Sequence, residues 1–345
     1  MNINRDFEAK ITYLLQCGLP VAPAPFAVLA EQIGDISEND IIDFVEKSFA
    51  EKKARCLRGI FNLQLLGYKS ILCASTIPEE QLDSLCSQLV SDKAITHCYE
   101  RSCDKSPVLL ADNKVSSGVF PNLWFTYTMK EEKYDETSNN LKGILSPYPV
   151  YLLPANSQFK IQVIFDTRKE PDKSKDSGVF PQKTESQGKQ RFLPREKDLI
   201  RSLENIPITS EPYADIARHC SMTHDEVLQL LRTWQSKGVL RRIGLIMYHR
   251  RIGFSANGMA VWQVPPERVH EIGEQLANFK EVTHCYERQA VLEFPFNVYA
   301  MIHAENWDAL NRLFTDISHK FILDSGVLLR SGHEYKKTSF QPFSN

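Results

Sequence analysis

Apolar residues recur at helical spacing from the start of the chain. Phe7, Ile11, Leu14 and Leu15 fit one face, and Gly18-Leu19-Pro20 ends that element. Phe26, Leu29 and Ile33 form a second stripe. Ser37 stands where it can cap a third helix carrying Ile41, Ile42, Val45 and Phe49. Three short helices with short breaks predict a helix-turn-helix module. The pattern then turns extended. Arg58 to Leu63 and Tyr68 to Ile77 read as a strand pair, with Gly67 before the second strand. Pro78 and Glu79 open a helix to about Ser91. A strand containing His97 follows, then a loop over 102–120. Asn122 to Met129 alternates as a strand, 131–143 reads as a helix, and Val150 to Asp166 is extended.

From Pro194 the pattern starts over. Pro194 to Lys237 again reads as three helices. Ser210-Glu211-Pro212-Tyr213 opens the second of them, and Ser221 to Asp225 separates it from the third. Strands are predicted over Arg241–His249, Ser255–Val264, 281–290 and Asn297–His303, helices over 266–278 and 306–319, and extended chain over 322–338. Gly253-Phe254 matches Gly67-Tyr68, and Asn297 to His303 matches Asn122 to Thr128. The second half is shorter because Gln289 to Phe294 stands in place of the long loop. The fold class is therefore α+β, with two tandem repeats of a helix-turn-helix followed by β-α-β-β-α-β. The expected division is 1–56 for the first helix-turn-helix and 57–167 for the first βαββαβ domain. A polar linker over 168–193, rich in Lys, Asp, Ser, Gln and Pro, separates these from the second helix-turn-helix, 194–240, and the second βαββαβ domain, 241–345.

Composition narrows the function classes. A net charge of -2 speaks against a general nucleic-acid binder, though not against a local basic patch. No apolar run is long enough to span a bilayer, and Met1 to Lys10 lacks a signal-peptide core, so a cytoplasmic location is expected. The eight cysteines include no Cys-x-x-Cys, which makes zinc ribbons and redox dithiols poor readings and buried free thiols the better one.

One string occurs twice. Residues 96–101 and 283–288 both read Thr-His-Cys-Tyr-Glu-Arg. In a regular strand His97, Tyr99 and Arg101 share one face and Thr96, Cys98 and Glu100 the other. His284, Tyr286 and Arg288 repeat the arrangement. An imidazole, a phenol and a guanidinium on one face can donate protons and hold carboxylates. Either copy alone is equally a structural strand with a solvated polar face; the duplication points to a paired site.

The combination resembles the Lrp/AsnC superfamily, a helix-turn-helix joined to a ferredoxin-like βαββαβ domain. Within it the chain resembles the siroheme decarboxylases. The second half carries Arg241-Arg242-Ile243-Gly244, then Tyr248-His249-Arg250-Arg251-Ile252-Gly253-Phe254, Thr283 to Arg288, Phe294 to Met301 and Glu334 to Ser339. The first carries Leu66-Gly67-Tyr68, Thr96-His97, Pro121 to Thr126, Leu152-Leu153-Pro154 and Phe159-Lys160. These are similar to the two different subunits of that enzyme, here fused, and cover nearly everything but the linker. The resemblance implies removal of CO2 from the C12 and C18 acetates of siroheme, giving 12,18-didecarboxysiroheme for the alternative heme pathway or for heme d1. It implies no added cofactor, because the substrate brings its own iron. It also implies siroheme and its products as partners, no membrane, little or no DNA binding, and a pseudo-dimer of the two halves, with further homo-oligomerisation left open.

Siroheme carries many carboxylates on a flat ring, and arginine forks match carboxylates in bidentate fashion. Arg241, Arg242, Arg250, Arg251 and Arg288, with Tyr299, are the candidate substrate contacts. The first half has lost the counterparts of His249 and its neighbouring arginines, so the main site is expected in the second half. Decarboxylation needs a general acid, for which His284 and His249 are the candidates, with Tyr286 assisting. Either histidine is equally a candidate axial ligand to the substrate iron. His97, Tyr99, Arg101 and Trp124 form a secondary, supporting set. Trp124 and Tyr299 hold matching strand positions where an aromatic ring can stack on a macrocycle or pack a core; Trp262 and Trp307 read as packing residues. The alternative reading is a tandem Lrp/AsnC regulator binding a small ligand or heme, with Arg241 to Arg251 as a wing on DNA phosphate. Against it, the third helix of the first half is acidic at its start, and the second offers only Gln229, Arg232, Gln235 and Lys237.

Overall fold

The computed structural model describes residues 5–103, 106–109, 120–161, 164–166, 168, 190–248 and 254–344. In chain order the elements are α1 (Arg5–Cys17), α2 (Pro25–Ile33), α3 (Glu38–Ala50), β1 (Ala54–Phe61), β2 (Tyr68–Ser75), α4 (Glu79–Ser91), β3 (Ile95–Ser102), β4 (Val108–Leu109) and β5 (Leu123–Lys130). There follow α5 (Tyr134–Leu145), β6 (Val150–Leu153), β7 (Ala155–Ile161), α6 (Pro194–Ser202), α7 (Pro212–His219), α8 (His224–Ser236) and β8 (Leu240–Met247). The chain ends with β9 (Ala256–Trp262), α9 (Val269–Ala277), β10 (Val282–Arg288), β11 (Val298–Ala304), α10 (Trp307–Phe321) and β12 (Gly326–Lys337). The expected helices and strands are present, with most of their ends shifted by a few residues. The expected strand over Arg241–His249 is seen as Leu240–Met247, and His249 to Gly253 lie outside the described residues. So does most of the linker, 169–189, and of the loop after Arg101.

Local chemistry explains the helix starts. The Ser37 hydroxyl accepts from the Asp40 amide at 3.2 Å, while the Asp40 carboxylate accepts from the Ser37 amide at 2.9 Å. Thr223 and Glu226 form the same reciprocal cap on α8. Pro25 and Pro212 occupy first-turn positions, where a missing amide hydrogen costs nothing.

The chain divides into two compact units that cut across the tandem repeat. One comprises Met1–Gly67, Val163–Ile252 and Gln341–Asn345; the other comprises Tyr68–Gln162 and Gly253–Phe340. The expected boundaries at 56/57 and 240/241 thus differ from the compact division, which falls at Gly67 and Ile252. In the helical unit β1 pairs with β8, Leu57 opposite Leu245 and Gly59 opposite Ile243. The expected pairing of the strands around Arg58 and Tyr68 is therefore replaced by a pairing between repeats. Each strand is also held by the turn after the other repeat's first helix. The Leu19 amide donates to Ile243 O at 2.7 Å, and the Ile206 amide to Leu57 O at 2.8 Å. Gly59 permits this approach, since a Cβ there would lie 3.3 Å from the Cβ of Leu203.

The second unit is a ten-stranded sheet in the order β6-β2-β5-β3-β12-β9-β11-β10-β7, with β4 beside β12. Each repeat supplies four strands in the ferredoxin-like order, and the exchanges lie at their ends. β12 pairs with β9 over Gly326–Arg330 and runs on to pair with β3 as far as Lys337. β6 pairs with β2, and β7, one residue later, pairs with β10 of the other repeat. The two ends of the sheet are thus separated in the chain only by Pro154, whose missing amide hydrogen suits a break in the ladder. Phe159 of β7 fixes the exchange by packing on α9. A Cβ added at Gly273 would sit 2.3 Å from its ring.

α4 and α5 cover one part of the outer face and α9 and α10 another, over cores that include Ile71, Phe125 and Leu141 in the first repeat and Trp262, Ile302 and Phe314 in the second. The opposite face carries a third cluster, drawn from both repeats, around Trp124, Met259, Phe294, Phe296, Tyr299 and Leu329.

Candidate active site

The repeated hexapeptide occupies β3 and β10, and in both copies the strand departs from regular alternation. Register shifts separate Ile95 from His97 and Val282 from His284. A bulge of this kind turns two successive side chains toward the same side. The Thr96 hydroxyl lies 3.0 Å from His97 Nδ1, and the Thr283 hydroxyl 3.1 Å from His284 Nδ1. The expectation that Thr96 faces away from His97 is corrected by this geometry, as is its counterpart in the second copy. Cys98 and Cys285 do turn to the helix-covered face, where burial pushes the Cys285 thiol up to about 12.

Beyond the bulge each copy forms a row of rings ending in a guanidinium. His97 and Tyr99 lie near parallel at 6.2 Å, and His284 and Tyr286 at 6.4 Å. Arg101 sits 5.5 Å from the Tyr99 ring centre, and Arg288 lies 4.7 Å from Tyr286 and 5.7 Å from Tyr299. The repeats complete one another here. Arg101 Nη1 donates to Ser331 Oγ at 2.9 Å and its Nη2 lies 3.8 Å from Met301 Sδ, while Arg288 Nη1 donates to Leu153 O at 2.7 Å.

Both guanidiniums are short of partners. Nε of each is buried without a hydrogen bond, and among the described residues neither has a carboxylate partner. Burial pulls the Arg101 guanidinium down to about 10 and lowers Arg288 as well. A cation withdrawn from water without a counter-ion is costly, so this arrangement suits an anionic ligand.

Trp124 and Tyr299 stand opposite Tyr99 and Tyr286 across their strand pairs. They are 1% and 2% exposed and converge on Phe294, at 5.4 and 6.4 Å between ring centres. Trp124 Nε1 donates to Pro121 O at 2.7 Å, whereas the Tyr299 hydroxyl is buried with no partner among the described residues. Trp262 is core, its Nε1 donating to Ser318 Oγ, and Trp307 packs under Arg330.

Sequence reading passed over His303. It lies two residues beyond Met301 on β11, and its Nε2 is 3.0 Å from the Thr283 hydroxyl. Its place in the alternating series Tyr299, Met301, His303 was the available signal. Arg241 and Arg242 are on β8 in the helical unit, where Arg242 is opposite Ile60 and burial draws it down to about 10. His249, Arg250 and Arg251 lie outside the described residues. No group of three or more metal-ligating side chains forms among the described residues, and among them no helix is long and apolar enough to cross a membrane.

Comparison with known proteins agrees with this architecture. A family model for an AsnC-like ligand binding domain matches residues 65–160 and 251–336, and one for a siroheme decarboxylase NirDL-like HTH domain matches 196–241. The chain is 30% identical to a siroheme decarboxylase of Hydrogenobacter thermophilus, over 99% of this chain and 96% of that one. The crystal structure of the siroheme decarboxylase NirDL superposes with a TM-score of 0.70 at 26% identity, covering 98% of this chain and 94% of that chain. The same enzyme in complex with an iron-uroporphyrin III analogue gives 0.69 at 25% identity, with 99% and 95% coverage.

Proposed function

We infer the function from one premise: this chain belongs to the siroheme decarboxylase family. It is a carboxy-lyase that removes CO2 from siroheme. In the finer reading the C12 and C18 acetates are lost, and 12,18-didecarboxysiroheme passes on to heme or heme d1 formation in the cytoplasm. The reaction consumes one proton per step, R–CH2–CO2⁻ + H⁺ giving R–CH3 + CO2. The chain therefore has to hold the non-reacting carboxylates and deliver protons to carbon.

The observation that carries this reading within the fold is the pair Arg101 and Arg288, buried beside aromatic rings with no carboxylate partner among the described residues. A flat, apolar, multiply anionic macrocycle supplies both the missing charge and the stacking surface. Arg288 and Arg101 hold carboxylates that stay. The one that leaves does better away from such a clamp, because tight ground-state binding of the carboxylate opposes its loss. His284 delivers the proton from Nε2, since the Thr283 hydroxyl occupies its Nδ1 side, and Tyr286 assists as a second donor. Tyr299 offers its hydroxyl to the substrate. His97, Tyr99, Arg101 and Trp124 of the first copy support the same pocket. Arg241, Arg242, Arg250, Arg251 and His249 enter from their chemistry alone, as further cations and a further acid or axial ligand.

No cofactor beyond the substrate's own iron is needed for this chemistry. The helix-turn-helix modules carry acidic first turns, Glu38 and Asp40 on α3 and Asp225 and Glu226 on α8, which oppose a phosphate backbone. They serve as scaffold with little affinity for DNA. The test is anaerobic incubation of the pure protein with siroheme, followed by mass spectrometry. Two successive losses of CO2 are expected. Intact siroheme, together with salt-sensitive binding to duplex DNA, would return the regulator reading.

A further inference from the structure

We propose that His303 is a positioning residue which, through the hydroxyl of Thr283, fixes the ring nitrogen of His284 that carries the proton. The proposal rests on the reading of His284 as the proton donor. Its structural basis is a three-member chain. His303 Nε2 lies 3.0 Å from Thr283 Oγ1, which lies 3.1 Å from His284 Nδ1. His303 is 6% exposed and Thr283 2%, so bulk water does not compete for this hydroxyl.

The chain has only one hydroxyl hydrogen to share. When His303 donates its Nε2–H to the Thr283 oxygen, the hydroxyl hydrogen has two acceptors in reach, His284 Nδ1 at 3.1 Å and the Met301 carbonyl at 3.4 Å, and the nearer of them is favoured. That nitrogen is then an acceptor, and neutral His284 carries its proton on Nε2. Without a donor at 303, both lone pairs of the Thr283 oxygen are open to a protonated His284 Nδ1 while the hydroxyl hydrogen goes to the Met301 carbonyl, and the preference at His284 lapses.

The first repeat lacks this device. Position 128 matches 303 and is a threonine, whose hydroxyl donates to Ser70 Oγ at 3.1 Å. Thr96 there meets the Thr126 hydroxyl at 2.8 Å, alongside His97 Nδ1 at 3.0 Å. A second rotatable hydroxyl donates or accepts with equal ease, so it imposes no tautomer on His97. The two copies of one hexapeptide thus differ in what stands behind the threonine. Only the second copy has an imidazole there.

The test combines nitrogen NMR of the histidine rings in the full chain without substrate with kcat and KM for siroheme. The wild type, Thr283→Ser and His303→Gln are expected to show a single Nε2–H tautomer at His284, because each keeps both the hydroxyl and the donor. Thr283→Val and His303→Leu are expected to show a mixture of tautomers. They should lose about tenfold or more in kcat with KM within about twofold. An unchanged His284 tautomer in both Thr283→Val and His303→Leu overturns the proposal. A tautomer that responds while kcat does not sustains the positioning role and removes His284 from the reaction. Full turnover by His284→Ala strikes at that same reading of His284, which keeps the two failures distinct.

Discussion

Arg288 of the second repeat donates from Nη1 to the main-chain carbonyl of Leu153 in the first, at 2.7 Å. Leu153 is the last residue of β6, and the chain crosses at Pro154 to lie along β10, the strand that carries Arg288. Arg101 makes the reciprocal reach, to Ser331 and Met301 of the second repeat. Each copy of the hexapeptide is completed by the other half.

That relationship separates binding from stability at two chemically identical residues. Arg101→Met is expected to raise the stability of the ligand-free protein by about 1 kcal/mol, because a poorly compensated buried cation is replaced by an apolar chain. The same change should lower kcat/KM for siroheme by about 100-fold. Arg288→Met should show the loss in kcat/KM without the gain in stability, since the Leu153 carbonyl is left without its donor. Urea unfolding and steady-state kinetics on both variants check this. Equal stability changes would contradict it.

The two copies are not expected to contribute equally. His284→Ala should reduce kcat by about 100-fold or more, the range for loss of a positioned general acid. His97→Ala should cost less than about tenfold, consistent with a supporting role. The measurement is single-turnover conversion of siroheme by each variant. The reverse ranking would move the chemistry to the first repeat.

Tyr299→Phe removes a buried hydroxyl that has no partner among the described residues. Folding stability should hold or rise by up to about 1 kcal/mol, as an unsatisfied polar group is lost. If the hydroxyl meets the substrate, KM rises while the thermal midpoint does not fall. A drop in the midpoint would mean that the hydroxyl is bonded in the folded protein after all.

Glu204 gives a pH signature in the helical unit. Its carboxylate is paired with Arg58, but burial outweighs that pairing and lifts it from 4.5 to about 7. The folded chain therefore keeps a proton between these values that the unfolded chain has lost. The stability from this group is fully present below pH 4.5 and falls away as the pH rises through 7. Glu204→Gln cannot lose that proton. Its stability relative to the wild type should rise by on the order of 2 kcal/mol between pH 5 and pH 8, by urea denaturation. A constant difference would show that Glu204 is ionised throughout.

Much of this was legible in residues taken locally. Ser37 marks a helix start because a cap is made within three residues. The alternation of Tyr99 with Arg101, and of Tyr286 with Arg288, placed these side chains on one face, and they are found there. The bulges at Thr96 and Thr283 were not legible, because an extra residue shows only when the partner strand is in register. His303 was passed over for a related reason, since the hydroxyl that gives it meaning is 20 residues away on another strand.

By itself the sequence determined the order and kind of the elements, the duplication, the chemistry of the repeated hexapeptide and, through its resemblance, the family. These depend on side-chain periodicity, caps and residue identity, all set within a few positions. Only the tertiary structure decided that β1 joins β8, that β7 and β12 cross to the opposite repeat, and that Arg101 and Arg288 end up buried without carboxylate partners among the described residues. A strand edge offers the same amide and carbonyl groups to any neighbour. The choice between partners is made by long-range packing, such as Phe159 against Gly273, which no local pattern records.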